Sequence, residues 1–156
     1  YKFICKYLRD NDFIHYEISN FCKSNYQSRH NLVYWHNLEY YGFGLGASSY
    51  LNNKRFTNTR SFNKYFSGEY ILSSEDVNKH DNMEYEIMLG LRLSEGINKD
   101  IFYNKFGKKI DECYNYDVLI NNGFIVDDGD SLFIPEDKFY ISNEIIVQFI
   151  EGEKYG

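Results

Sequence analysis

Tyr16-Glu-Ile-Ser-Asn-Phe21, His30-Asn-Leu-Val-Tyr-Trp35 and Tyr41-Gly-Phe-Gly-Leu-Gly-Ala47 are the three blocks whose reading decides the fold. The stretch from Tyr16 to Tyr50 holds the only Trp and the only Ala of the chain, two of its four His and three of its eleven Gly. In the middle block His30 and Tyr34 are four apart, as are Asn31 and Trp35. On a helix such pairs share a face, so an imidazole nitrogen and a phenol at 30 and 34 can meet one ligand. Neutral imidazole ligates metals and heme iron, which makes His30 the candidate metal ligand. The competing reading is a packed, hydrogen-bonded core histidine; His36 is the weaker candidate.

In the third block Gly42, Gly44 and Gly46 recur at every second position. Read as a strand, this puts three glycines on one face and lets a flat ligand or a neighbouring element approach the backbone, while Phe43, Leu45 and Ala47 occupy the other. The spacing is not that of a dinucleotide-binding loop. The strand is expected to run on through Leu51, turn at Asn52-Asn53 and return through Arg55–Thr57, because Asn tolerates the left-handed backbone of a tight hairpin. A short amphipathic helix over Ser61–Tyr70 follows.

Upstream of the first block, Lys2–Asp10 places Phe3, Ile4, Tyr7 and Leu8 on one helical face. No capping residue and no Met precede this helix, so the chain is expected to be the C-terminal piece of a longer one. Phe13–Ser19 alternates as a strand. Helix followed by strand is the order of a last α/β-barrel repeat, and ligands of such folds sit at strand carboxyl ends, here Glu17–Phe21. Glu17 therefore reads either as a cavity carboxylate or as a solvated or salt-bridged strand residue.

The three blocks, in this order and spacing, resemble the C-terminal part of the oxygen-independent coproporphyrinogen III oxidase family of radical S-adenosylmethionine proteins, and His-Asn-x-x-Tyr-Trp resembles its heme chaperone branch. The resemblance runs along essentially the whole chain. It implies an incomplete N-terminal barrel carrying a [4Fe-4S] cluster on C-x-x-x-C-x-x-C, with bound S-adenosylmethionine. Cys5, Cys22 and Cys113 do not match that motif, so cluster and S-adenosylmethionine are expected only in a full-length protein. The resemblance also implies that His30, with Asn31, Tyr34 and Trp35, contacts heme, and that Gly42, Gly44 and Gly46 border the cavity, to which the strand-end reading adds Glu17. Cys22 stands where the family commonly has Ala, and reads as a thiol ligand or a small buried residue.

After Tyr70 the composition changes, and Ser73-Ser74-Glu75-Asp76 offers capping groups for a helix. Helices are expected over Met83–Leu93, Lys99–Phe106 and Ile110–Asn121. Asp128-Gly129 marks a hairpin between Phe124–Asp127 and Ser131–Ile134, and Ser142-Asn143-Glu144 caps a last helix. The expected architecture is α+β: a remnant of the last strands and helix of an incomplete α/β barrel over residues 1–70, then a helical, winged-helix-like domain over 71–156. The helix at Ile110–Asn121 carries Asp111, Glu112 and Asp117 and no Lys or Arg, which opposes phosphate.

Of 156 residues, 23 are acidic and 17 basic, giving a net charge of -6 and excluding strong nonspecific binding of nucleic acid or anionic membrane. Aromatics reach 19%, which reads first as compositional bias and only second as stacking surfaces for a flat ligand, so aromatic content alone decides nothing. The odd cysteine count without C-x-x-C spacing predicts neither a disulfide framework nor a zinc site. No apolar run nears the ~18 residues of a membrane span, and cytoplasmic location is the default. Three functions follow as expectations: part of a heme chaperone contributing a porphyrin wall and a docking domain for a heme-accepting protein; part of a true coproporphyrinogen III dehydrogenase; or a plain protein-interaction module. Barrel strands with open edges also predict pairing with a second copy.

Overall fold

A computed structural model describes residues 1–154 of the chain. Helix α1 spans Lys2–Asp10 and ends at Asn11. Asp12 takes the left-handed backbone (φ 63°), which Asp adopts more readily than most residues and which turns the chain into β1, Ile14–Glu17. The expected Phe13–Ser19 strand stops short, because β1 folds back onto β2, Asn20–Cys22, as an antiparallel pair. Glu17 fastens this turn: its carboxylate accepts the Ser19 N–H at 3.2 Å and a hydrogen bond from the Asn20 side-chain amide. The apolar face expected on α1 is not buried. Cys5 alone is inside, while Phe3, Ile4 and Tyr7 lie on the surface because no described element packs across them.

Helix α2, Arg29–Trp35, starts where Ser28 Oγ accepts the Asn31 N–H at 3.3 Å. The chain then forms β3, Ser48–Leu51, and β4, Lys54–Asn58, joined by Asn52 and Asn53 at φ 50° and 56°, the geometry expected of a tight hairpin. Two segments differ from expectation. Gly42–Ala47 is a loop rather than a strand: Gly44 and Gly46 sit at φ 91° and 67°, which breaks any pleat. Ile71–Asp76 is strand β5 rather than a helix cap, and pairs antiparallel with β4, giving the order β3-β4-β5. Between β4 and β5, helix α3 covers only Phe62–Phe66, since the chain turns at Ser67-Gly68 with Gly68 at φ 87°.

Helix α4, Lys79–Gly90, is initiated by a reciprocal capping box between Asn78 and Asp81. After β6, Ile97–Asn98, comes α5, Lys99–Phe106, which ends at Gly107 in the left-handed conformation. The single helix expected over Ile110–Asn121 is two, α6 at Ile110–Cys113 and α7 at Asp117–Asn121. Tyr114 breaks it: its extended backbone pairs with Glu153, and its ring is buried. Strands β7, Val126–Asp127, and β8, Ser131–Phe133, form the hairpin expected around Asp128-Gly129, and β6 completes the order β6-β8-β7. A 3₁₀ helix, Glu136–Ile141, leads into α8, Ser142–Glu151, whose start carries no side-chain cap, contrary to expectation.

Ile87, Leu91, Phe102, Leu132, Ile134, Ile145 and Phe149 close the core of this second half. Each such side chain contributes about 1.5–3 kcal/mol on burial. The architecture is mixed α and β, as expected, and every strand pairing in the three sheets of the described residues is antiparallel.

Polar contacts join the two halves. Glu17 bridges to Leu93, with Ile18 N–H on Arg92 O at 3.0 Å and Ser94 N–H on Tyr16 O at 3.1 Å. Asn37, left-handed at φ 50°, donates to Asn82 Oδ1 at 2.6 Å and Glu86 Oε2 at 3.3 Å, and accepts from Arg55 at 3.1 Å. Lys105 Nζ holds both Glu86 oxygens at 2.8 and 2.9 Å and reaches His36 O at 3.2 Å.

Candidate functional site

Helix α2 presents His30 to solvent, with Tyr34 one turn further on the same face. The Tyr34 hydroxyl meets His30 Nε2 at 2.8 Å, and the rings stand nearly perpendicular, centroids 4.8 Å apart. In either tautomer this bond occupies Nε2 and leaves Nδ1 free of it. Tyr34 in turn meets Tyr40 edge-on at 4.5 Å, and burial raises the Tyr40 phenol above its ordinary range. The loop that follows displays Tyr41 and Phe43 outward, loosely stacked at 6.3 Å. An imidazole beside a series of rings is chemically suited to a flat aromatic ligand with a metal centre.

Trp35 lies away from this group. It lines a cleft of about 270 Å³ with His36, Glu86, Gly90, Glu95 and Ile97. The Arg92 guanidinium stacks over its ring at 5.0 Å, and the buried Trp35 Nε1 and Arg92 Nε have no hydrogen-bond partner. His30 and Tyr34 are therefore brought together as the spacing predicts, while Trp35 points into the junction with the second half and Asn31 serves the helix start through its backbone. His36 pairs with Glu95 at 3.3 Å.

The glycines have a different job from the one expected of a bare strand face. Asn58 Nδ2 donates to Gly44 O at 2.9 Å, Gly46 N–H binds Thr59 O at 3.0 Å and Gly42 N–H binds Ser49 Oγ at 2.9 Å, so the loop is pinned over the start of β3 and the end of β4. Glu17 is fully buried and its oxygens are engaged in the β1–β2 turn. Arg92 is the residue that sequence reasoning misses: it lies far along the chain from Trp35, and no local pattern announces a stacking cation.

The cysteines do not suit an iron–sulfur cluster. Cys5, Cys22 and Cys113 are buried free thiols on three separate elements, and burial raises the Cys22 and Cys113 thiols above their ordinary range. A cluster needs thiolates converging on one point.

Comparison with known proteins gives a consistent result. The profile of the HemN C-terminal domain matches residues 77–137. The heme chaperone HemW of Lactococcus lactis is 33% identical over 155 residues, covering 96% of this chain and 41% of that protein. The heme chaperone HemW of Bacillus subtilis is 31% identical over 142 residues, covering 86% and 38%. The chain thus spans about two-fifths of the length of these relatives. Among solved structures, coproporphyrinogen III oxidase (HemN) from Escherichia coli, described as a radical SAM enzyme, superposes with a TM-score of 0.68 at 9% identity, over 94% of this chain and 39% of that one. That likeness carries the fold.

Proposed function

The chain belongs to the oxygen-independent coproporphyrinogen III oxidase-like family of radical S-adenosylmethionine proteins, near its heme chaperone branch, and from that premise we propose that it forms one wall of a heme site in which His30 meets the iron. Heme is here cargo, held for a heme-accepting protein. The observation that carries this reading is the solvent-facing His30 imidazole on α2, steadied by Tyr34 and continued by the rings of Tyr40, Tyr41 and Phe43. Tyr34 fixes the ring's orientation, and the aromatic side chains give a porphyrin face something apolar to lie on. Trp35 and Asn31 act from behind, Trp35 by locking α2 onto Arg92. The loop of Gly42, Gly44 and Gly46 positions Phe43 and Tyr41, and Glu17 holds the preceding hairpin.

A [4Fe-4S] cluster and S-adenosylmethionine belong, on this reading, to a full-length protein; the thiols of Cys5, Cys22 and Cys113 do not fit a cluster. The second half, from Val77 onward, is proposed as the winged-helix-like docking domain, because Ile71–Asp76 belongs as β5 to the sheet before it. Among the described residues no helix is long and apolar enough to cross a membrane, and cytoplasmic action is part of the proposal. Hemin titration followed by absorbance tests it. The chain should bind about one equivalent with a shifted Soret band, and His30→Ala should weaken binding by about 10-fold or more, the loss of one liganding contact. Identical weak, featureless spectra for both proteins would end the assignment of His30.

A further inference from the structure

A second group of ligating side chains lies on the far side of the C-terminal half, at the start of α4. His80 and Glu84 are one helical turn apart, on the same face. Glu153 is brought to them from the end of α8, where the chain is anchored by the bridge to Tyr114 and by Lys154 N–H on Cys113 O at 2.7 Å. One ring nitrogen of His80 and one carboxylate oxygen each of Glu84 and Glu153 lie within 4.8 Å of one another. His80 Nε2 faces Glu153 Oε1 at 2.7 Å, and Nδ1 faces Asp81 Oδ1 at 3.8 Å.

This is the arrangement of a metal-binding histidine. One nitrogen meets a converging oxygen, and the other lies on the side of the Asp81 carboxylate, which the α4 capping box holds in place. Among the described residues neither Glu84 nor Glu153 pairs with Lys or Arg, and His80 is the one cationic partner of Glu153. Two carboxylates around one imidazole carry one net negative charge when the ring is protonated, and the lysines that line the adjoining cleft, Lys79, Lys108 and Lys154, form no ion pair with either of them. A divalent cation replaces that proton and neutralises both oxygens. Beside the group, Tyr114, whose backbone bridges to Glu153, keeps its buried hydroxyl without a hydrogen-bond partner. The group opens on a cleft of about 870 Å³, with room for water to complete a coordination shell.

We infer that His80, Glu84 and Glu153 form a site for a borderline divalent cation of the Zn²⁺ class, which clamps the end of α8 to the start of α4. One nitrogen and two oxygens, with an open position for water, suit Zn²⁺ better than the harder Mg²⁺ or Ca²⁺. Bound only by the folded chain, the ion raises the melting temperature.

The test is calorimetric titration of the metal-free chain with Zn²⁺, with Co²⁺ as the optical probe. One equivalent should bind at roughly micromolar concentration. His80→Ala should lose about 100-fold in affinity, and Glu84→Gln and Glu153→Gln about 10-fold each, with near-ultraviolet circular dichroism unchanged. His15→Ala serves as the control, because Cys5, His15 and Glu136 form the other group with ligand spacing. Co²⁺ should give d–d bands without thiolate charge transfer. The inference fails if Zn²⁺ does not bind, if His80→Ala or both Gln variants bind as tightly as the parent, if His15→Ala abolishes binding, or if a thiolate band appears.

Discussion

His30 Nε2 is committed to the Tyr34 hydroxyl, so an iron that takes this nitrogen must first displace the phenol. A hydrogen bond of this kind contributes about 0.5–1.5 kcal/mol net. Tyr34→Phe keeps the ring and removes the competitor, and hemin should then bind about 2- to 10-fold tighter, measured by the same absorbance titration. Weaker binding in Tyr34→Phe would mean that the iron takes the free Nδ1 and that the hydroxyl serves to orient the ring. At this scale the sequence is informative where partners are local: the four-residue spacing of His30 and Tyr34 and the left-handed Asn52-Asn53 turn both follow from backbone geometry. It is silent where partners are distant. Nothing near Trp35 tells that Arg92 will cover it, and nothing near Glu17 tells that its carboxylate will be fully buried, because both depend on how separate elements meet.

Elements escape the sequence where two local structures share one pattern. Alternating glycines suit a bare strand, but they equally suit a loop needing positive φ, and Gly44 and Gly46 use them that way. The distinction is measurable. A Cβ on Gly42 would stand 2.0 Å from the Ser48 carbonyl oxygen, whereas one on Gly44 would meet nothing within 4 Å. Gly42→Ala should therefore cost about 3 kcal/mol of unfolding free energy and Gly44→Ala, which suffers only backbone strain, about 1 kcal/mol. Equal losses in urea denaturation would favour the strand. In the same way Ser73–Asp76 looks like a helix cap because β5 is an edge strand exposed along its whole length, with no buried face to impose alternation. The hairpin of β7 and β8 is better specified, and one ion pair secures it to α5. Lys99 and the Gly129 N–H hold the Asp127 carboxyl below its ordinary range. Its stabilising effect is thus complete above the unfolded carboxylate value and is lost as pH falls through the lowered folded value. With both side chains about 30% exposed, the effect is about 1 kcal/mol or less. Asp127→Asn should flatten the acid side of the stability curve by that amount and leave Tm at pH 7 lower; an unchanged acid slope would show that the pair is idle.

The whole molecule depends on the joint between the β3–β5 sheet and the helical second half, and that joint is polar. Glu86 is the hinge of it: Asn37 and Lys105 both bind its carboxylate, while Asn37 relays to Arg55, which stacks on Tyr50 at 4.4 Å and Tyr85 at 4.0 Å. The residues involved are scattered from 36 to 105, so no charge pattern in the sequence reveals them; they read as separate surface charges until the fold brings them together. A half-buried pair of this kind is weak as a source of stability, yet costly to break from one side, because the remaining charge loses its partner. The Glu86 side chain is 10% exposed and that of Lys105 is 32%, so the usual penalty must be reduced for the solvent that reaches Lys105. Lys105→Met should cost about 2 kcal/mol in urea denaturation, and adding Glu86→Gln should recover much of that, since the unpaired charge is then gone. The same Lys105→Met variant should exchange the backbone amides of β3 and β4 faster with deuterium, because Asn37 loses its fixed acceptor and Arg55 its anchor. If the double variant is as unstable as the sum of the single ones, and β3 and β4 exchange at the parent rate, the joint is held by packing alone and α2, with His30 on it, is not positioned through this network.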